Sequence, residues 1–305
     1  MDALVGYTGF VGSNIAAGRA FGGLYNSKNI GEAFGAEPDL LVYAGVPGEM
    51  YLANANPAAD RAAVENAAEN IRRIRPKRLT LISTSAVLNS AAGADEDYLI
   101  DPEKLSAYGL HRYELEKLAR SLAPSYHIFR LPALFGMNIK KNFIYDINHS
   151  CPSALSGDKY ESFSAAEPVI SECYEPKGNG FYKLAAPETK MRGLKEAFER
   201  IGFSALSFTD SRSVYQFYNL KRLWGHIAVA IENEIPLLHL AVEPLSAGEV
   251  YKAATGREFV NEILEKPIHC DFRTKHAALF GGAGGYIHAR ARVLAELIEF
   301  IGGAR

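Results

Sequence analysis

The stretch Leu4-Val5-Gly6-Tyr7-Thr8-Gly9-Phe10-Val11-Gly12-Ser13-Asn14 concentrates more chemistry than any other part of this chain. Gly6, Gly9 and Gly12 follow a short apolar run and open a helix-like one. A glycine at a strand end permits a tight turn, and a second lets the backbone approach a pyrophosphate. A third allows a helix to pack closely on a sheet, while the free amides that start the helix meet the phosphate charge. Gly6, Thr8, Gly9, Phe10, Val11 and Gly12 are therefore read as a dinucleotide-binding turn. The plainer alternative is that three glycines make only a bend; the strand-then-helix context favours the first.

Such a turn has to be carried by a sheet. Apolar runs occur at Ala3–Val5, Leu40–Ala44, Leu79–Ser83 and His127–Leu131, with a weaker one at Leu24–Tyr25. Between them lie the helix-like segments Phe10–Phe21, Pro57–Ile74 and Tyr108–Leu122, and Asn56 can cap a helix whose first residue is Pro57. Near-continuous apolar strands separated by helices predict a parallel sheet covered on both faces. From Asn138 the character changes. Cys151-Pro152, Ser156-Gly157, Glu167-Pro168, Pro176 and the pair Gly178/Gly180 predict loops and turns over residues 150–190. Helices are expected at Thr189–Ile201, Leu220–Glu232, Ala247–Thr255 and Ile287–Ile301, and a strand at His239–Val242. The second half reads as interleaved with the first, because single strands appear among its helices.

GYTGFVGSN as a whole, followed in order by STSAVL at 83–88, YGLHRYELE at 108–116 and RLPALFG at 130–136, resembles the extended short-chain dehydrogenase/reductase family, the NAD(P)-dependent epimerase/dehydratases that act on nucleotide sugars. The likeness covers roughly residues 1–136 well and the remainder loosely. It implies an α/β fold: a Rossmann-type doubly wound parallel sheet over residues 1–137, with a smaller, interleaved C-terminal α+β substrate-binding region over 138–305, some of whose segments return to the sheet. It also implies NAD or NADP as cofactor and a nucleotide-sugar substrate that is epimerised or reduced by hydride transfer, with a tyrosine as general acid/base. By the same likeness Thr84 takes the place of the catalytic hydroxyl, and Tyr108 that of the proton-transferring phenol. Arg112 stands where the family carries a lysine that lowers the tyrosine pKa and holds the nicotinamide ribose. An unperturbed tyrosine titrates near ~10, and a nearby cation favours its phenolate.

Tyr108 and Arg112 lie one helical turn apart and share a face. Arginine is effectively never deprotonated, so it cannot pass a proton on as lysine can. This departure, with Ala133 where the family has an asparagine, raises a second reading: a catalytically silent NAD(P)-binding sensor or regulatory protein. Tyr113 and Lys117 form a rival Tyr-x-x-x-Lys pair about 140° further round the helix; the Tyr108-Gly109 start and Glu116 favour the first pair. His111, where a small residue is usual, reads as a helix-surface imidazole. Ala44, Ser83 and Leu131 at strand ends are expected against the cofactor. No carboxylate follows Leu24–Tyr25 until Glu32 to meet an adenosine ribose, whereas Lys28 can face a 2′-phosphate, which tilts the cofactor toward NADP. One strand of longer relatives is expected to be missing or rudimentary before Asp39–Ala44. Ser85, Lys140, Asn142 and Arg212 are the expected substrate contacts, Arg212 having the chemistry for bidentate phosphate binding. Ser85 and Ala86 replace the Asp-Glu pair of the dehydratase branch, so water elimination is not expected. Trp224 reads as core, and Gly281–Gly285 as a mobile loop or lid. The helices at 57–74 and 108–122 are candidates for a homodimer contact.

The 305 residues carry 33 Lys+Arg against 35 Asp+Glu, a net charge of −2, which leaves no electrostatic footprint for nucleic acid. Three well-separated cysteines, Cys151, Cys173 and Cys270, fit a reducing compartment and argue against a structural zinc site. No apolar stretch approaches the ~18 residues of a membrane span, and MDALV leaves no room for a leader before the glycine turn. A cytoplasmic protein is expected.

Overall fold

The computed structural model describes residues 1–89, 92–178 and 180–303. The chain begins β1 (Asp2–Val5), α1 (Phe10–Gly18), β2 (Gly23–Tyr25), β3 (Leu40–Tyr43), α2 (Met50–Ala55), α3 (Pro57–Ile74), β4 (Arg78–Thr84), α4 (Ala107–Leu122), β5 (Ser125–Leu131) and β6 (Ala133–Phe135). It continues α5 (Phe143–Asn148), β7 (Ala154–Ser156), α6 (Gly157–Ala166), β8 (Tyr174–Pro176), β9 (Phe181–Leu184) and α7 (Glu188–Ile201). The last elements are β10 (Val214–Tyr215), β11 (Phe217–Asn219), α8 (Leu223–Glu232), β12 (Leu237–His239), β13 (Leu245–Ser246), α9 (Ala247–Thr255) and α10 (Arg290–Gly303).

Two compact units emerge. The first comprises Met1–Asn138, Val214–Leu245 and His269–Glu296. Its six-stranded sheet runs β12-β5-β4-β3-β1-β2, and every neighbouring pair is parallel. After β2 the chain crosses back to lay β3 on the opposite side of β1, so the winding direction reverses between β1 and β3. In doubly wound sheets ligands bind outside the carboxyl ends of the strands at such a reversal. β2 has three residues, is followed by a 3-10 turn at Ile30–Ala33 and lies at the edge of the sheet.

α3 and α4 cover this region through Val64, Ala67, Ala68 and Ile71 of α3 and Leu115 and Ala119 of α4, packed with Leu41, Leu79, Leu81 and Ile128 of the sheet. The apolar positions of α3 recur every three or four residues, which places them on one stripe. Its start follows the sequence closely: Asn56 Oδ1 accepts the Ala59 amide at 3.2 Å, and Pro57 occupies the first turn.

A polar chain crosses this interior. Glu116 of α4 is fully buried; it accepts the Ser83 hydroxyl at 2.5 Å and Arg130 Nη2 at 2.6 Å. Arg130 Nη1 meets His239 Nε2 at 3.1 Å, and His239 Nδ1 lies 3.0 Å from the Arg273 carbonyl. Burial pushes the His239 pKa down, so a neutral ring accepts from Arg130 and donates to Arg273. Buried charges are tolerated when their donors and lone pairs are met in this way.

The second unit comprises Ile139–Ser213, Ser246–Ile268 and Leu297–Arg305. Residues 150–190 are not the loops and turns expected of them. They form an antiparallel sheet in the order β7-β9-β8, with α6 between β7 and β8. Leu155, Ile170, Cys173, Tyr174, Leu194 and Phe198 make its core. The glycines and prolines punctuate short elements here instead of replacing them; Ser156 closes β7 and Gly157 opens α6.

Three smaller expectations change. The strand anticipated at His239–Val242 lies at Leu237–His239, paired with β5. Gly281–Gly285 is a hydrogen-bonded turn: Gly282 donates to the Ala277 carbonyl and Thr274 to the Gly285 carbonyl, each at 2.9 Å. Trp224 is half-buried, edge-on to Phe21 at 5.6 Å with the Arg19 guanidinium 4.7 Å over its ring. Among the described residues no helix is long and apolar enough to cross a membrane.

Removing one partner of a buried ion pair leaves the other uncompensated, so Glu116→Leu is expected to cost about 3–5 kcal/mol in urea unfolding. Glu116→Leu combined with Arg130→Met is expected to recover most of that loss, since two apolar side chains of similar size can replace such a pair at little net cost.

Candidate functional site

The first unit gathers its functional residues at the carboxyl ends of its strands. β1 ends in Gly6, whose φ is +89° and whose amide donates to the Tyr25 carbonyl at 2.7 Å. A Cβ on Gly6 would lie 2.4 Å from the Ala44 carbonyl oxygen, and one on Gly12 would lie 2.1 Å from that of Gly6. The exits of β1 and β3 and the first turn of α1 are thus packed backbone against backbone. Gly9 starts α1 without a side-chain cap, Thr8 and Gly9 are exposed, and Phe10 and Val11 are half-buried. A floor of bare backbone beneath uncapped helix amides suits a pyrophosphate, so these residues fit the group that the spacing implied.

Asn14 is a structural residue beside this turn that sequence reading left without a role. It is buried; its Nδ2 donates to the carbonyls of Phe10 and Met137, each at 2.8 Å, and its Oδ1 accepts the Met137 amide at 3.1 Å. It ties α1 to the chain leaving β6. The only signal was its place directly after the glycine motif.

At the end of β2 an asparagine turn stands where an acidic residue would meet a ribose. Asn26 Oδ1 accepts the Lys28 amide at 2.9 Å, Asn29 Oδ1 accepts the Asn26 amide at 2.8 Å, and Lys28 is exposed. Ala44 is half-buried beyond β3, and Leu131 is buried at the end of β5 in register with Thr84. Ser83 departs from its expected place against a cofactor: its hydroxyl is donated into the interior, to Glu116.

Thr84 ends β4 half-buried, its Oγ1 accepting the Ala86 amide at 3.2 Å, and Ser85 begins the 3-10 turn Ser85–Val87. Tyr108 lies in the first turn of α4, where its amide donates to Asn54 Oδ1 at 3.0 Å. A Cβ on Gly109 would lie 2.3 Å from the Ala86 carbonyl oxygen. The helix can press against the β4 exit only because Gly109 has no side chain. That approach brings the Tyr108 side chain beside Thr84 at the end of β4.

Arg112 is buried with its guanidinium 3.9 Å from the Tyr108 ring centroid. It donates through Nη1 to Asp60 of α3 and through Nη2 to the Pro47 carbonyl at 2.6 Å. His111 Nδ1 meets the same Asp60 oxygen at 2.7 Å. His111 is therefore a buried member of an ionic cluster and not a surface imidazole; the acid that draws it inward lies on another helix. Burial raises the Asp60 pKa, but hydrogen bonds from Arg112 and His111 outweigh it, and the carboxyl is held below its ordinary value.

The expected lowering of the Tyr108 pKa does not occur. Burial raises it; Arg112 and the Thr84 hydrogen bond pull it back only in part, and Asp60 opposes them. The cation lies over the ring with its charge compensated by a carboxylate. The rival pair faces outward: Lys117 is exposed, 5.0 Å from the Tyr113 ring, and lines an outer groove with Arg61, Glu114 and Leu118.

In the second unit Lys140 is exposed. Asn142 and Arg212 depart from the expected role of free substrate contacts, because each serves its own unit. Asn142 Oδ1 caps α5, accepting the Ile144 amide at 3.0 Å and that of Tyr145 at 3.2 Å. Arg212 is held by Asp210 at 2.7 Å, Glu262 at 3.0 Å and the Leu264 carbonyl at 2.6 Å, and its guanidinium keeps the Asp210 carboxyl well below the usual carboxylate range. Among the described residues no cluster of three or more His, Cys, Asp or Glu could hold a metal ion.

A parallel sheet with a glycine turn at its reversal point defines a doubly wound dinucleotide-binding fold. Solved structures share it over their whole length. A dTDP-4-dehydrorhamnose reductase ortholog from Clostridium acetobutylicum is 14% identical with a TM-score of 0.64, covering 100% of this chain and 99% of its own. A dTDP-4-dehydrorhamnose reductase from Bacillus anthracis in complex with NADP is 14% identical with a TM-score of 0.63, over 100% and 99%. A UDP-glucuronic acid 4-epimerase mutant from Bacillus cereus, in complex with UDP-4-deoxy-4-fluoro-glucuronic acid and NAD, is 14% identical with a TM-score of 0.59, over 100% of both chains. No protein-family profile matches the sequence, and no curated protein matches it. At these identities the likeness is one of fold.

Because the Gly12 clash is with backbone, Gly12→Ala is expected to lower the unfolding midpoint in a thermal melt.

Proposed function

We propose that this chain is a nicotinamide-dependent enzyme of the extended short-chain dehydrogenase/reductase type that acts on a nucleotide-activated sugar, with NADP favoured over NAD and the reductive direction favoured for the proton transfer. The observation that carries it is the close approach of α4 to the β4 exit, Gly109 over the Ala86 carbonyl, which sets Tyr108 beside Thr84 at the carboxyl edge of the sheet that holds the glycine cradle.

The cofactor supplies hydride exchange with a sugar carbon. Gly6, Thr8, Gly9, Phe10, Val11 and Gly12 hold its pyrophosphate, Lys28 faces a 2′-phosphate, and Ala44 and Leu131 wall the crevice, with Ser83 contributing main chain alone. Thr84 would orient a sugar carbonyl oxygen, and Tyr108 would donate its proton to that oxygen. Burial holds the phenol protonated, which suits an acid that gives up its proton only in the transition state. Arg112 acts on Tyr108 and not on the ribose, because Nη1 and Nη2 already serve Asp60 and Pro47. Ser85 and Lys140 are the proposed substrate contacts; Asn142 and Arg212 would first have to exchange their present bonds. A homodimer through α3 and α4, and a cytoplasmic setting for the free Cys151, Cys173 and Cys270, complete the proposal.

The occupied Arg112 donors favour a second reading, a protein that binds NAD(P) without turning over. Tyr108→Phe separates the two. General acid catalysis is worth about 10²–10⁴-fold, so the variant is expected to lose that much kcat in reduction of a nucleotide ketosugar, with NADPH affinity intact. Binding without turnover by the unmodified protein across a panel of nucleotide sugars would support the silent binder, and failure to bind either nucleotide would sink both readings. Since the phenol titrates above its ordinary value, kcat for reduction should stay flat through neutrality and fall only in strong alkali.

A further inference from the structure

A second layer behind the phenol has a function of its own. Asp60 enters from α3, is 7% exposed, and is met by both Arg112 and His111 through the same carboxylate oxygen. Arg112 is held from two sides, by Asp60 through Nη1 and by the Pro47 carbonyl through Nη2 at 2.6 Å. The guanidinium lies over the ring, its carbon 3.9 Å from the ring centroid.

We propose that Asp60 is a positioning residue for Tyr108: its carboxylate holds Arg112 over the phenol ring and offsets the guanidinium charge at that place. This rests on Tyr108 being the proton-transferring group. Three groups act on the phenol: Arg112 from its own helix, Asp60 from α3 and Thr84 from β4; His111 acts through its bond to Asp60. With the carboxylate in place, the arginine contributes shape and stacking while most of its pull toward phenolate is offset. A lysine at 112 is a point charge on a flexible stem and lacks the planar fork that matches a carboxylate and a carbonyl together. The Arg-for-Lys replacement and the buried acid are thus two halves of one device. It keeps the tyrosine a proton donor and makes the return reaction, which needs a phenolate base, the harder direction.

The readout is the ionisation of Tyr108 itself, followed by carbon NMR of ring-labelled tyrosine in the unliganded protein, with Tyr108→Phe to assign the signal. Asp60→Asn keeps the size and an acceptor but removes the charge; the unmasked guanidinium should then lower the Tyr108 titration by about one pH unit, within the range for a close opposite charge. Arg112→Gln leaves the carboxylate unmasked and should move it the opposite way. In steady-state reduction, the alkaline limb of kcat in Asp60→Asn should shift down with the titration, while KM for NADPH stays within about twofold. A merely structural Asp60 gives no shift or shifts of the same sign in both variants, and either outcome overturns the proposal. If Asp60→Asn does not fold, a Tyr108 titration in Arg112→Gln that stays in place or falls overturns it instead. Because the titration needs neither cofactor nor substrate, its failure is distinct from failure of the functional reading, which is decided by nucleotide binding and by Tyr108→Phe turnover.

Discussion

The site depends on one close approach. α4 lies against the exit of β4 with its Gly109 over the Ala86 carbonyl, at a separation that leaves no space for a Cβ. Two turns further along the same helix, Glu116 is drawn to full burial by Ser83 and Arg130. The first contact is steric and sets how near the helix can come; the second is ionic and sets its rotation. Together they bring the Tyr108 side chain to Thr84. An α4 displaced outward by one methyl group would still cover the sheet, but Tyr108 would move away from the β4 exit.

The charges around the phenol follow from burial. A guanidinium taken out of water needs a counter-charge and acceptors for its donors. Asp60 provides the first and the Pro47 carbonyl helps with the second. Meeting those needs draws the loop after β3, the α3 helix and the α4 helix into one cluster beside the reversal point of the sheet. It also offsets the electrostatic benefit that a cation next to a tyrosine would otherwise confer. The same residues that make the arginine tolerable make the tyrosine a stronger holder of its proton.

Much of the first unit was legible because its signals are local. Asn56 before Pro57 sets the start of α3, and the helix spans the residues that the pattern predicts. The second unit was harder to read. Between residues 150 and 190 the strands have three or four residues each, too short for an alternating pattern, and their glycines and prolines look like loop. The roles of Asn142 and Arg212 were hidden for a related reason. A polar residue near a motif looks available until its partners are known, and here those are the amides of α5 and the Asp210 carboxylate.

The sequence by itself determined the glycine spacing, the strand–helix alternation and the order of the four motifs, since each depends on residues within a few positions of one another. Only the tertiary structure decided the electrostatics. His111 looks like a surface residue on its own helix, and Tyr108 looks like a phenol beside an uncompensated cation. Both readings change because Asp60, roughly fifty residues earlier, is folded against them. Charge effects in a protein interior act across space, where the dielectric is low and water is excluded, so no local pattern of residue types records which acid will stand behind which base.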